Sequence, residues 1–324
     1  MKRMLILLAI VLLSTGILFA DEAVLIDFSM LAADTDDNQN SATVMDFARV
    51  AGASFTDDQK AVMKTSLAIN NWEVVLASSS RFVDNMVRSY AKESPSKQYG
   101  TVMGVRIHFP IEPYNSWAII KPPFEIPAYE PGNSGDGITS KSKFEAQADG
   151  EPAYGVIKNV GTIKSIQVLV YGLNFPHRLF TTIIDSRGIA KEIFIDYLRF
   201  DGWKKLIWDN PAYVQEVRNR ELRIFPLYPT NTPYIKFGGF RIARDAAHEG
   251  GDFVGYFKEV RVRYDKAVLE TDRDIEDEDI WQIITDRETS RKRFEMERFG
   301  QAQVLRYLEA EKQAQEDYFS NDNQ

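Results

Sequence analysis

The side chains in this 324-residue chain with chemistry to offer are three histidines, many carboxylates and five tryptophans; there is no cysteine. His108, His177 and His248 lie in unrelated segments without HExxH spacing. They read as packing or surface histidines and not as metal ligands or bases. Asp196 and Asp201 sit at the ends of apolar runs, but glycoside hydrolysis needs two carboxylates at a defined separation, which spacing alone does not supply. Asp34, Asp36, Asn38 and Asn40 alternate as at the start of a calcium loop. The sixth position is Gln39 where glycine is required, and the twelfth is Met45 where a bidentate glutamate is required. The run GNSGDG (Gly132–Gly137) lacks the lysine and hydroxyl ending of a phosphate loop. The absence of cysteine excludes disulfides, thiolate metal sites, a thiol nucleophile and a lipidated cysteine anchor. No catalytic, metal-ligating or cofactor-binding residue is assigned, and the chain reads as a non-enzyme.

The aromatic residues offer contact chemistry instead. From Val102 to Pro131 the chain sets Pro110, Pro113, Pro122, Pro123, Pro127 and Pro131 between short β-type runs. Proline fixes φ and donates no hydrogen bond, so it cannot occupy central strands. The expected result is a stiff surface track carrying Phe109, Tyr114, Trp117, Phe124 and Tyr129. Further on, Trp203, Trp208 and Tyr213 form a second aromatic group. The two tryptophans are an odd number of residues apart, so in a regular strand they face opposite ways, one toward the core. Trp117, Phe124, Tyr129, Trp203, Trp208 and Tyr213 are the candidates for contact with a protein or a glycan.

The elements that must position these residues are mostly strands. Alternating or apolar runs bounded by Gly, Pro, Asn or Asp predict strands at Val24–Phe28, Trp72–Ala77, Val102–Phe109, Trp117–Ile120, Ile163–Tyr171, Leu179–Ile184, Ile193–Leu198, Trp203–Trp208, Arg223–Phe225, Tyr234–Ile242 and Phe253–Tyr264. Thr56 with Gln59 fits a capping box and predicts a short helix through Thr65. Ser78–Glu93 is ambiguous: Phe82, Val83, Met86, Val87 and Tyr90 have helical spacing, whereas Ser78–Ser80 and Asn85 favour a loop or edge strand. Asp34–Asn40 and the glycine-rich stretch Pro131–Gly155 read as surface loops. Strands this closely spaced, without intervening helical patterns, predict a mainly β fold: an antiparallel β-sandwich, jelly-roll-like, over residues 21–270. After the acidic run Asp272–Asp279, Ile280–Phe319 reads as a long charged amphipathic helix. Its apolar stripe is Ile280, Ile283, Ile284, Phe294, Ala302, Leu305 and Leu308. Residues 271–324 are therefore expected to form a helical tail.

Lys2 and Arg3 followed by the apolar run Met4–Phe19 and Ala20 have the pattern of an export leader, residues 1–20, cleaved before Asp21. No second apolar segment follows, so no membrane anchor is expected after cleavage. The formal net charge is −8; nucleic acid, whose binding rests on basic faces, is not an expected partner.

The wording GVRIHFP, YNSWAIIKPPFEIPAY, VYGLNFPHRL, GWKKLIWDNPAYV, LYP, IKFGGFRIARD and VRVRYDKA resembles the outer-layer (sheath) proteins of spirochaete periplasmic flagellar filaments, from about Val24 to Ala267. The resemblance implies a secreted, non-enzymatic subunit that coats a flagellin core in the periplasm. It would touch flagellin, other copies of itself and other sheath proteins, and contribute to filament stiffness, shape and motility. The residues alone leave a second class open: a secreted carbohydrate-binding sandwich, similar in build to known carbohydrate-binding modules.

Overall fold

The computed structural model describes residues 21–32, 42–48, 51–129, 142–147, 151–213, 233–267 and 283–321. The expectations for the leader, Asp34–Asn40, GNSGDG, Arg223–Phe225 and Asp272–Asp279 fall outside the described residues. The strands are β1 Asp21–Asp27, β2 Met45–Asp46, β3 Lys64–Thr65, β4 Glu73–Leu76, β5 Tyr90–Ser96, β6 Gly100–Phe109, β7 Ser116–Lys121, β8 Val156–Lys158, β9 Val160–Leu173, β10 Arg178–Asp185, β11 Ala190–Tyr197, β12 Asp201–Asp209, β13 Tyr234–Arg244 and β14 Gly251–Lys266.

They form the expected antiparallel sandwich. One sheet has the order β12-β9-β14-β6-β5, the other β11-β10-β13-β7-β4. Each is built on a long central strand whose second edge two partners share. Along β14, β6 pairs with Gly251–Phe257 and β1 with Glu259–Tyr264. Along β13, β7 pairs with Phe240–Arg244 and β8 with Tyr234–Lys236. Pro95 sits in the edge strand β5, a place where a missing donor costs little.

The two sheets meet through large rings. Phe240 of β13 stacks on Phe257 of β14 with centroids 4.5 Å apart. Phe28, Trp72 and Phe237 close the cluster beside them. Trp72 is buried, and its indole N–H donates to the Leu67 carbonyl at 2.9 Å, so its one polar atom is satisfied. Gly155 stitches the sheets at one side. Its N–H donates to Leu25 of β1 and its carbonyl accepts from Phe237 of β13. Its φ is +112°, and a Cβ there would overlap Ile126, so only glycine suits the position. At the other end Arg244, buried with its charge, donates to the carbonyls of Pro110, Glu112 and Tyr114. These bonds fasten the proline-bearing crossover from β6 to β7.

The C-terminal helix runs Ile283–Asn321. It docks on its own sandwich through Met296 and Phe299, whose ring lies 4.2 Å from that of Phe47. Arg291 pairs with Glu125 and Arg306 with Glu73 at the two ends of the contact. The stripe expected from sequence is not the docked face. Phe294, Leu305 and Leu308 of that stripe are exposed, because Met63 and Phe47 present a groove that takes Met296, Phe299 and the close approach of Gly300.

Two further expectations need correction. The Thr56 capping box is present, but the helix spans only Asp57–Ala61, since Lys64–Thr65 pairs with Met45–Asp46 as β3. The stretch Pro131–Gly155 is not all surface loop. In its described part Ser142, Phe144 and Ala153 are buried, and Phe144 packs on Phe124.

Candidate functional site

The proline-rich segment does not form a continuous exposed track. Phe109 and Phe124 are buried, as is Tyr129, and only Trp117 and Tyr114 remain half-exposed. Phe124 packs between Phe47 and Phe144, and Tyr129 against Tyr234. The prolines turn the chain over the end of the sandwich so that these rings close its core. The second group is also split. Trp208 packs against the core, whereas Trp203 lies on the outward face of its sheet. Tyr213 sits apart from both, with its hydroxyl 3.2 Å from Asp265 and Lys164 over its ring.

Trp203 instead belongs to a row running across three strands. It is opposite Tyr171 of β9, which is opposite Tyr256 of β14. The ring centroids are 5.4 and 5.9 Å apart, both edge to face. Tyr99, in the β5–β6 turn, reaches Trp203 at 4.8 Å. Tyr171 and Tyr256 were legible from alternation: Val168 and Val170 point inward, as do Phe253 and Phe257, so their neighbours Tyr171 and Tyr256 must point out.

Charged residues flank the row. Arg106 donates to Asp252 through two nitrogens, and His108 Nδ1 lies 2.7 Å from the same carboxylate. The Arg106 hydrogen bonds hold the Asp252 carboxyl below its usual range. The group is largely open to water, so it orients side chains more than it stabilises the fold. Asp196 pairs with Lys204. His177 is buried among Phe109, Phe175 and Phe253. Burial, with His248 and Arg244 nearby, lowers its pKa to about 4, so it is neutral at physiological pH. Its Nδ1 has no hydrogen-bond partner, which marks a packing residue. No group of three or more His, Cys, Asp or Glu among the described residues is placed to hold a metal ion. No described helix is long and apolar enough to cross a membrane.

Besides the row, two apolar surfaces stand out. One is the short helix Val83–Val87 with Phe82 and Tyr90; the other is the outward face of the C-terminal helix. The first lay in the stretch left ambiguous by sequence, where the serines masked a one-turn helix.

A two-sheet sandwich with its outward apolar residues gathered in patches has the build of a binding or assembly module. Comparison with known proteins narrows this. Residues 36–273 match the model of the flagellar filament outer layer protein family, FlaA. A flagellar filament outer layer protein of Treponema pallidum (strain Nichols) is 48% identical over 335 residues, covering 98% of this chain and 95% of the relative. One from Spirochaeta aurantia is 48% identical over 304 residues, 92% of this chain and 89% of the relative. One from Borreliella burgdorferi is 32% identical over 266 residues, 80% and 73% respectively. The chain belongs to the flagellar filament outer layer protein family, which is a family of structural proteins and not of enzymes.

Among solved structures the fold overlaps loosely with carbohydrate-binding modules. TmCBM61 in complex with β-1,4-galactotriose is 8% identical with a TM-score of 0.28, covering 60% of this chain and 90% of that one. The family 11 module of a Clostridium thermocellum cellulosomal cellulase is 9% identical with a TM-score of 0.26, covering 63% and 91%. Overlap this loose says nothing about a ligand.

Proposed function

We propose that this chain is a sheath subunit that coats the flagellin core of periplasmic flagellar filaments after export through a cleaved leader. It has no enzymatic activity and works mechanically. Material added outside a rod raises its bending stiffness steeply, because stiffness depends strongly on radius. Repeated lateral contacts between copies, and with other sheath proteins, would also bias curvature. Each contact can be weak, since many act together along a filament. The observation that carries this reading is the family match over residues 36–273. In this reading Trp117 and Trp203, half-exposed on outward faces, are contact residues. Phe124, Tyr129 and Trp208 pack in or against the core, and Tyr213 is held by Asp265 and Lys164, so these four support the fold and are not contact residues. The test is a deletion strain complemented with the wild-type chain. Filaments lacking the chain should be thinner and bend more easily, with reduced cell motility. Filaments of unchanged diameter and stiffness would reject the proposal.

The Trp203–Tyr171–Tyr256 row favours a second reading, a glycan-binding face. The sheath reading is preferred because the family match spans residues 36–273, and because the rings of the row stand at 73° and 76° to one another, with Tyr99 packed on Trp203, so they form no coplanar stacking platform. Retention on polysaccharide resin, lost in Trp203→Ala, would reverse this preference.

A further inference from the structure

At one end of the sandwich a full positive charge lies in the interior with no acid to meet it. Arg244 is 1% exposed. Two of its nitrogens donate to the carbonyls of Pro110, Glu112 and Tyr114, which are neutral, and among the described residues no carboxylate forms an ion pair with it. Its third nitrogen, Nε, has no hydrogen-bond partner. Ser116 stands opposite Arg244 across the β7–β13 ladder; it too is 1% exposed, and its Oγ is unpartnered. His177 follows on the other side of Arg244, since Arg178 pairs with Ala243; it is 4% exposed with Nδ1 unpartnered. We infer that this buried row binds a small monovalent anion of the halide class against Arg244 Nε, with Ser116 and His177 on either side.

The three side chains share the inward face. Each alternates with buried residues of its own strand: Ser116 with Ala118 and Ile120, Arg244 with Ile242 and Phe240, His177 with Leu179. Phe109 joins two of them, its ring centroid 6.0 Å from Arg244 Cζ and 5.2 Å from the His177 ring. All three atoms can donate. The guanidinium N–H always does, the serine hydroxyl rotates to do so, and a neutral histidine carries its proton on Nδ1 in one of its two tautomers. A set of donors around a buried positive charge repels a cation and suits an acceptor of negative charge. Such a charge is costly in the interior until an opposite one meets it. The number of donors selects the size of the ligand. A halide is one atom with one charge, whereas sulfate or phosphate brings four oxygens and a second charge to three donors. The bound anion would fix the guanidinium that fastens the β6–β7 crossover, and with it the setting of Tyr114 and Trp117.

The test is thermal melting of the purified chain at pH 8, where His177 is neutral, with sodium chloride exchanged for sodium gluconate at constant ionic strength. A ligand that binds only the folded state raises the melting temperature along a saturable curve. Chloride at ten times its half-saturating concentration should raise it by about 3–5 °C over gluconate. Sodium sulfate at the same ionic strength should give no saturable rise. Ser116→Ala removes one donor at little change in volume; it should melt as wild type does in gluconate and need about tenfold more chloride for the same rise. Equal melting in chloride and gluconate would overturn the inference, as would a rise that climbs linearly with any salt, or a chloride response unaltered in Ser116→Ala. Crystals grown in sodium bromide give the second readout. An anomalous peak beside Arg244 Nε is the expected result. Density there without anomalous signal would be water and would overturn the inference, and peaks confined to the surface would mean an adventitious ion only and overturn it as well.

Discussion

The buried His177 should make stability fall between pH 7.5 and 5.0. In the folded chain burial, with the positive charge of Arg244 and the proximity of His248, lowers its pKa to about 4 from an ordinary 6.5. Above pH 6.5 neither state binds the proton and the residue contributes no slope. Below 6.5 the unfolded chain takes up the proton and the folded chain does not, so stability drops by about 1.4 kcal/mol per pH unit. The loss reaches about 2 kcal/mol at pH 5 and levels near 3 kcal/mol below pH 4. That is a large part of the roughly 5–15 kcal/mol that holds a typical domain together. The carboxylates do not confuse this window. Asp252, Asp185 and Glu125 have pKa values lowered from 3.8, 3.8 and 4.5, so the stability they contribute is lost only as pH falls through and below those values. The assay is urea unfolding followed by tryptophan fluorescence, for wild type and His177→Phe. Phenylalanine suits a site bounded by Phe109, Phe175 and Phe253 and removes the unpaired Nδ1. The variant should lose about 2 kcal/mol less than wild type between pH 7.5 and 5.0. Parallel losses in the two proteins would refute the reasoning.

Other expectations follow from packing and charge. Phe124→Ala should cost about 3–5 kcal/mol, read as a lower urea midpoint; a change under about 0.5 kcal/mol would mean the ring is not core. Gly155→Ala, placed at φ +112° against Ile126, should cost about 2–3 kcal/mol by thermal melting. Glu125→Ala removes the partner of Lys236, which is 3% exposed, and releases Arg291. About 3 kcal/mol should be lost, and protease should cut the C-terminal helix sooner. Trp203→Ala breaks only edge contacts at the surface and should cost about 1–2 kcal/mol on urea unfolding.

The strands were legible because inward residues alternate and Pro, Gly, Asn or Asp mark their ends, as in Ile166, Val168 and Val170 of β9. The sandwich followed from their spacing. The side on which an aromatic residue ends up was harder to read. Phe124 and Tyr129 sit between prolines, which suggested a surface segment. Their burial depends on Phe47, Phe144 and Tyr234, partners far away in sequence. The C-terminal helix carries two apolar lines, and choosing the docked one required knowing that Phe47 and Met63 form the receiving surface. The Trp203 row was missed because its other members, Tyr171 and Tyr256, belong to strands brought together only by the sheet order. Trp203 and Trp208 lie on opposite faces of β12, with Trp208 against the core, as their odd spacing implies, while Tyr213 lies beyond the end of that strand.

Membership of the filament's outer layer is tested most directly by immunogold electron microscopy of purified periplasmic flagella, before and after a wash that strips the outer layer. Gold against this chain should decorate the filament shaft along its length, and stripping should remove the label together with the outer layer, leaving a thinner flagellin core. Label absent from the shaft, or retained on a filament whose diameter does not change, would contradict the assignment.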